Sequence, residues 1–392
     1  MALTAVSRGN IETFFRDGEQ IARWKINEDG SVEKNGERID GEVECIFMNN
    51  SGVETTAKNT YVKNELYEGI FRVCYASGSL KQEITFNSGT ANGPVRIFYE
   101  SGKLKFEGSY SNGHPMWESK SYYESGGVQV EKYMDGNIGI YKAYYENGKI
   151  ETEETYKNGK EHGPYRIFYP SGSVKVEGTN IDGLKEGLYR IYYENGKVKV
   201  EGRYEKGKAV GLYTLYYPSG KVMAEENYSD GKRDGSIKSY YENGNLKSEG
   251  ECVEGKEHGV FRVYYEDGKL KLEGTYVNGK ENGPYRFFYR TGEVKVEGTH
   301  KDGKEDGPYK LYYRSGKVQV EGQYKAGRED GDFTMYYESG AVKAKETFKD
   351  GKQEGMYRVY YESGKLMEQR IYKNGELLSV KKFDDNGAEV RA

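Results

Sequence analysis

The sequence is short of the residues that fix most other architectures. Its 392 residues include three cysteines, seven prolines and two tryptophans. Cys45, Cys74 and Cys252 are far apart and odd in number, which gives neither a disulfide framework nor a metal-ligand spacing. No apolar run approaches the roughly 18 residues that a membrane-spanning helix needs. The opening MALTAVSRGN has no cationic segment ahead of an apolar stretch, so no signal peptide is visible and a cytoplasmic location is expected. Neither sign of charge prevails. Lys and Arg number 59 against 63 Asp and Glu, which leaves no basic field to draw in nucleic acid or an anionic membrane.

What the chain has in excess is glycine, 53 residues, and tyrosine, 39 residues. With 31% charged residues the chain could be disordered, but a 14% aromatic share argues for a packed fold. These residues recur. Glycines that follow a Tyr-Tyr-acid-Asn/Ser stretch fall at Gly78, Gly102, Gly126 and Gly148, then at the constant spacing of Gly172, Gly196 and Gly220 as far as Gly364. Only the step from Gly126 to Gly148 differs, being two positions shorter than the rest. Thirteen units cover residues 68–375 as one continuous array. Residues 1–67, with weaker copies around Gly18 and Gly52, read as irregular N-terminal capping repeats. Residues 376–392, around Gly387, read as a partial C-terminal capping repeat.

One unit, YRIYYENGKVKVEGRYEKGKAVG at residues 189–211, shows the design. Two alternating runs flank Asn195-Gly196, a pair that predicts a two-residue type I′ hairpin turn. A second glycine, such as Gly159, Gly183 or Gly207, turns the chain into the next unit. The expected register sets Tyr192 opposite Lys199, Ile191 opposite Val200, Arg190 opposite Glu201 and Tyr189 opposite Gly202. Opposite charges then face each other repeatedly, as in Arg72/Glu83, Arg96/Glu107, Lys142/Glu153, Arg166/Glu177, Lys238/Glu249, Arg262/Glu273, Arg286/Glu297 and Lys310/Glu321. Where Lys345 replaces the acid, Thr334 replaces the base. Tyrosine opposite a strand glycine covers the gap that the missing side chain leaves.

A repeated YYxNGKxKxEGxYxxGKxxG unit resembles the MORN repeats, and is most similar to the bacterial variant of YwqK-like proteins, many of which are described as antitoxins. The resemblance implies an all-β fold: an elongated, single-layer antiparallel sheet of tandem 24-residue hairpins. The departures are Trp117, where other copies carry glycine, the shortened unit before Gly148, and the segment 1–67.

Catalytic readings find little support. The eleven glutamates from Glu83 to Glu321 mostly face a cation, and a paired surface carboxylate has no cause for a raised pKa. Of His114, His162, His258 and His300, His162 and His258 sit in linking turns and His300 replaces a packing tyrosine such as Tyr276. Cys74 and Cys252 occupy positions that are aromatic in neighbouring copies, so packing is their expected role. The glycine-rich turns contain no GxxxxGK[ST] and precede no helix, so they form no phosphate loop. No enzyme activity, metal or cofactor is expected.

The candidate interaction surface is Trp117 together with a row of tyrosines: Tyr122, Tyr144, Tyr192, Tyr216, Tyr240, Tyr264, Tyr312, Tyr336 and Tyr360. Rings one unit apart stand about 9.6 Å from each other, too far to stack, and are expected to lie on lysine stems such as Lys199 and Lys271. The opposite face, with Tyr165, Ile167, Tyr169, Val174 and Val176, is more apolar. Three roles fit: a structural scaffold that docks protein partners or copies of itself, an antitoxin that neutralises a toxin by direct binding, or a glycan-binding module. Because the middle units are nearly interchangeable, a unique partner is expected to dock near residues 1–150, where the repetition breaks.

Overall fold

The computed structural model describes residues 3–8, 11–26, 32–39, 41–48, 54–63, 66–75, 77 and 79–390. Gly52 and Gly78 lie outside the described residues, as do the side chains of Cys45 and Cys74. Among the described residues there are 39 strands and no helix, so the fold is all-β, an open single-layer sheet of antiparallel hairpins. Contacts divide the chain into two units: Met1–Lys185 with Glu194–Gly196, and Glu186–Tyr193 with Lys197–Ala392.

The first unit opens with an arrangement the repeat does not predict. Leu3–Arg8 pairs antiparallel with Ile11–Arg16 and parallel with Gly41–Met48. A parallel pair needs a crossover, here the strands Ile11–Arg16, Glu19–Ile26 and Val32–Gly36. That layout gathers a cluster of deeply buried apolar residues, among them Phe14, Trp24, Ile39, Val43 and Val62. The Phe14 and Trp24 rings lie 4.5 Å apart, between centroids. From Leu66–Cys74 to Leu184–Lys185 the unit is a plain antiparallel meander.

The second unit is a meander throughout, from Gly187–Tyr192 to Glu389–Val390. In its first hairpin Ile191 faces Val200, Arg190 faces Glu201 and Tyr189 faces Gly202, as the sequence predicts. The tip differs. Tyr192 faces Val198 rather than Lys199, because the register shifts between Ile191 and Tyr192.

The turn chemistry explains the shift. Gly196 has φ 82°, while Asn195 has no positive φ, so the Asn-Gly pair is not the expected type I′ turn. In the equivalent loop the Gly102 N–H donates to the Tyr99 carbonyl at 2.9 Å, and the Tyr99 N–H to the Lys103 carbonyl at 2.8 Å. That is a type I turn closed by a left-handed glycine, which inserts a bulge and tightens the local twist. The type I′ turns are at the other end of the hairpins. Asn158-Gly159 (φ 53° and 76°) and Lys206-Gly207 (φ 48° and 80°) each link directly paired residues, Lys157 with Lys160 and Glu205 with Lys208.

All eight predicted charge pairs occur in register. Lys345 faces Thr334, also as predicted. The alternation continues past each hairpin: Glu249 faces Lys238 on one side and Arg262 on the other. Each unit therefore carries a ladder of alternating charge that locks register along the sheet.

Candidate interaction surface

The predicted tyrosine row exists, and most of its hydroxyls are engaged. Tyr122, Tyr144, Tyr240, Tyr264, Tyr312 and Tyr336 each donate to the glutamate that belongs to the charge ladder, over 2.6 to 3.1 Å. Burial, followed by the hydrogen bond to Glu249, pushes the Tyr264 phenol up to about 12. Tyr192, Tyr216 and Tyr360 hold the same register position, opposite Val198, Val222 and Leu366. The row is therefore tied to the ladder beneath it.

Lys199 and Lys271 do not lie on these rings. They cap the neighbouring tyrosines instead, Lys199 over Tyr193 at 5.6 Å and Lys271 over Tyr265 at 5.7 Å. The bulge at Tyr192 is the cause, since it moves the lysine one position along the opposite strand. The capped tyrosines reach forward. Tyr193 donates to the Tyr216 carbonyl and Tyr265 to the Phe288 carbonyl, at 2.7 and 2.9 Å, so each hairpin is clasped to the next.

On the opposite face a second set of rings, not foreseen as a stack, is in contact. Tyr189, Tyr204, Tyr213 and Tyr228 follow one another with centroids 5.3, 6.1 and 4.8 Å apart. Tyr309, Tyr324, Phe333 and Phe348 repeat the pattern at 5.3, 5.7 and 5.3 Å. These rings come from adjacent strands about 4.8 Å apart rather than from successive units, which brings them within contact. The recurrence of Tyr204 as Tyr228 at the repeat spacing was the available signal. Strand glycines lie under the rings: a Cβ on Gly202 would meet Tyr213 at 2.3 Å, and one on Gly298 would meet Tyr285 at 2.7 Å.

Trp117 is packed rather than displayed. A Cβ on Gly139 would meet its ring at 2.8 Å, Tyr156 lies 5.0 Å away and the Lys132 ammonium sits over it at 5.3 Å. Its indole N–H is buried with no acceptor among the described residues. A groove of about 580 Å³ runs beside it, lined also by Met134, Asn137 and Lys157. Met134 is 43% exposed.

The histidines hold structural positions, though not all in turns: His258 lies within the strand Lys256–Tyr264, opposite Glu251. His162 lies between the strands Lys160–Glu161 and Gly163–Phe168, with Nδ1 3.3 Å from an Asp182 oxygen. The His300 ring packs on Tyr285 at 4.4 Å and lies 3.5 Å from a Glu281 oxygen. Cys252 is 1% exposed, and burial pushes its thiol up, away from nucleophilic character. Among the described residues no group of three or more His, Cys, Asp or Glu could hold a metal ion, and no helix is long and apolar enough to cross a membrane.

Comparison with known proteins adds one strong likeness. A family model described as a MORN repeat variant matches eleven segments: 91–112, 138–158, 161–179, 185–206, 209–230, 233–251, 257–278, 281–302, 305–326, 329–350 and 353–374. No curated protein matches. A solved structure titled as that of TcdB2-TccC3 is similar at 9% identity and a TM-score of 0.12, over 97% of this chain and 27% of that one. The chain thus spans about a quarter of that protein's length, and so loose a likeness carries no argument.

Proposed function

Because the chain belongs to the MORN repeat variant family, we propose that it is a non-enzymatic structural module that docks protein partners, copies of itself included. One observation carries the reading. The groups that could do chemistry are occupied by structure: row tyrosines by glutamates, ladder glutamates by Arg and Lys, His300 and Cys252 by packing. A repeat protein of this kind offers area and repetition instead of a reaction centre.

The specific contact is proposed to lie before about residue 150, at the groove beside Trp117. Trp117 replaces the glycine of other copies, and the exposed Met134 and Asn137 line the groove beside it. The test is capture from native lysate by the full chain and by its Met134→Glu variant, read by mass spectrometry. A protein held at stoichiometric level by the first and lost from the second supports the proposal. Equal capture by both overturns the placement.

A further inference from the structure

Like charges placed directly across a ladder weaken a sheet. Three successive copies nevertheless place them so: Lys301 faces Lys304, Lys325 faces Arg328 and Lys349 faces Lys352. A fourth pair, Lys345 and Arg358, stands where the charge ladder stops alternating, since Lys345 replaces its glutamate. Lys157 and Lys160 are an isolated instance elsewhere. Earlier copies avoid the problem: Lys208 faces Glu205 and Lys232 faces Ser229, and each lysine also pairs with an acid in the next linking turn, Asp230 at 2.5 Å and Glu254 at 2.6 Å. At the equivalent position Lys304 has Ala326, Lys352 has Asn374 and Arg328 has Asp350.

The acids two positions past these pairs accept backbone N–H groups. Asp306 accepts the Ala326 N–H at 3.0 Å, Asp330 the Asp350 N–H at 3.3 Å and Glu354 the Asn374 N–H at 2.7 Å. Strand alternation puts Lys301, Lys325 and Lys349 on the same face as the charge ladder. All three are exposed. The same face carries a groove of about 270 Å³ lined by Pro284, Arg286, Glu297, Thr299, Pro308 and Lys310, in which Glu297 is paired across the hairpin with Arg286. Stability does not explain this double row of cations.

We propose that it binds an acidic protein segment in the polyproline II conformation, with a carboxylate at every third residue. The repeat distances agree. Successive hairpins advance by two strands, about 9.6 Å, and a polyproline II helix advances about 9.3 Å in three residues and returns every third side chain to one side. One carboxylate then meets one cation pair per turn, and the backbone lies along the proline-lined groove. A densely charged strand of nucleic acid fits less well, because Asp302 and Asp350 flank the row and the net charge of the chain is −4. This surface is separate from the groove beside Trp117, and either proposal can fail alone.

The experiment is fluorescence anisotropy of the full chain with a labelled peptide of four Glu-Pro-Pro triplets. The controls are a Gln-Pro-Pro peptide and a peptide of the same composition with its glutamates clustered. The spaced acidic peptide should bind, and bind more weakly as salt rises. The variant Lys325→Gln/Arg328→Gln should weaken it by roughly tenfold, while raising the thermal midpoint, since it removes a repulsive cross-strand pair. Equal binding of the clustered peptide, unchanged binding by the variant, or tighter binding of a single-stranded oligonucleotide or anionic vesicles would each overturn the proposal. A lower thermal midpoint in the variant would show that the cations are structural, and would overturn it too.

Discussion

The Tyr217 hydroxyl donates to the backbone carbonyl of Tyr240 at 2.7 Å, and so ties one hairpin to the next. The bond recurs as Tyr99 to Tyr122 and Tyr337 to Tyr360. A half-buried neutral hydrogen bond contributes about 1 kcal/mol. Tyr217→Phe should lower stability by about that much, read by urea unfolding. Because repeats contact mainly their neighbours, hydrogen exchange should quicken around that hairpin and not in distant ones. Uniform quickening along the chain would contradict the modular account.

Two strand glycines should respond in opposite ways. A Cβ on Gly202 would stand 2.3 Å from the Tyr213 ring, whereas one on Gly274 meets nothing closer than 3.8 Å. Gly202→Ala should therefore cost about 1–3 kcal/mol through displacement of the ring. Gly274→Ala should be neutral or stabilise by up to about 1 kcal/mol, since neither position needs a positive φ. Chemical denaturation of the two variants side by side checks both.

Ala326 occupies the first position of a type I′ turn with φ 50°, a conformation that alanine adopts reluctantly and asparagine readily. Ala326→Asn should raise stability by about 0.5–1 kcal/mol. A loss of stability would mean that the turn is not held in that conformation.

Alkali should unfold the protein through its tyrosines. Burial, followed by a hydrogen bond to glutamate, pushes Tyr122, Tyr240, Tyr264 and Tyr312 up to about 12. In the unfolded chain these phenols ionise near pH 10. The stability they contribute is thus complete below about pH 10 and is lost as pH rises toward about 12. Phenolate absorbance should appear together with the loss of β-sheet circular dichroism. A full phenolate signal at pH 10 with the sheet intact would contradict the burial of these rings.

The periodic part of this fold was legible in the sequence, because Arg190 and Glu201, or Arg262 and Glu273, fix a register at a constant separation. The turns were not, because an Asn-Gly pair reads as type I′ whether or not a bulge precedes it. The shift between Ile191 and Tyr192 leaves no mark on composition. The parallel pairing of Leu3–Arg8 with Gly41–Met48 joins distant segments outside the repeat, so no spacing announces it. At the surface, the row from Tyr122 to Tyr360 was readable as a row. Its ties to Glu107, Glu131 and Glu321 depend on strands that are neighbours only in the folded sheet.

The most direct test of the proposed function is titration calorimetry of the captured protein partner against the full chain and two sets of variants. Met134→Glu places a charge in the groove beside Trp117 at an exposed position, while Tyr240→Phe/Tyr264→Phe removes two hydroxyls from the repeated row. The predicted result is loss of binding with Met134→Glu and near-unchanged affinity with the tyrosine pair. Undiminished binding by Met134→Glu, with loss in the tyrosine variant, would contradict a specific contact in the irregular part and move it to the repeated row.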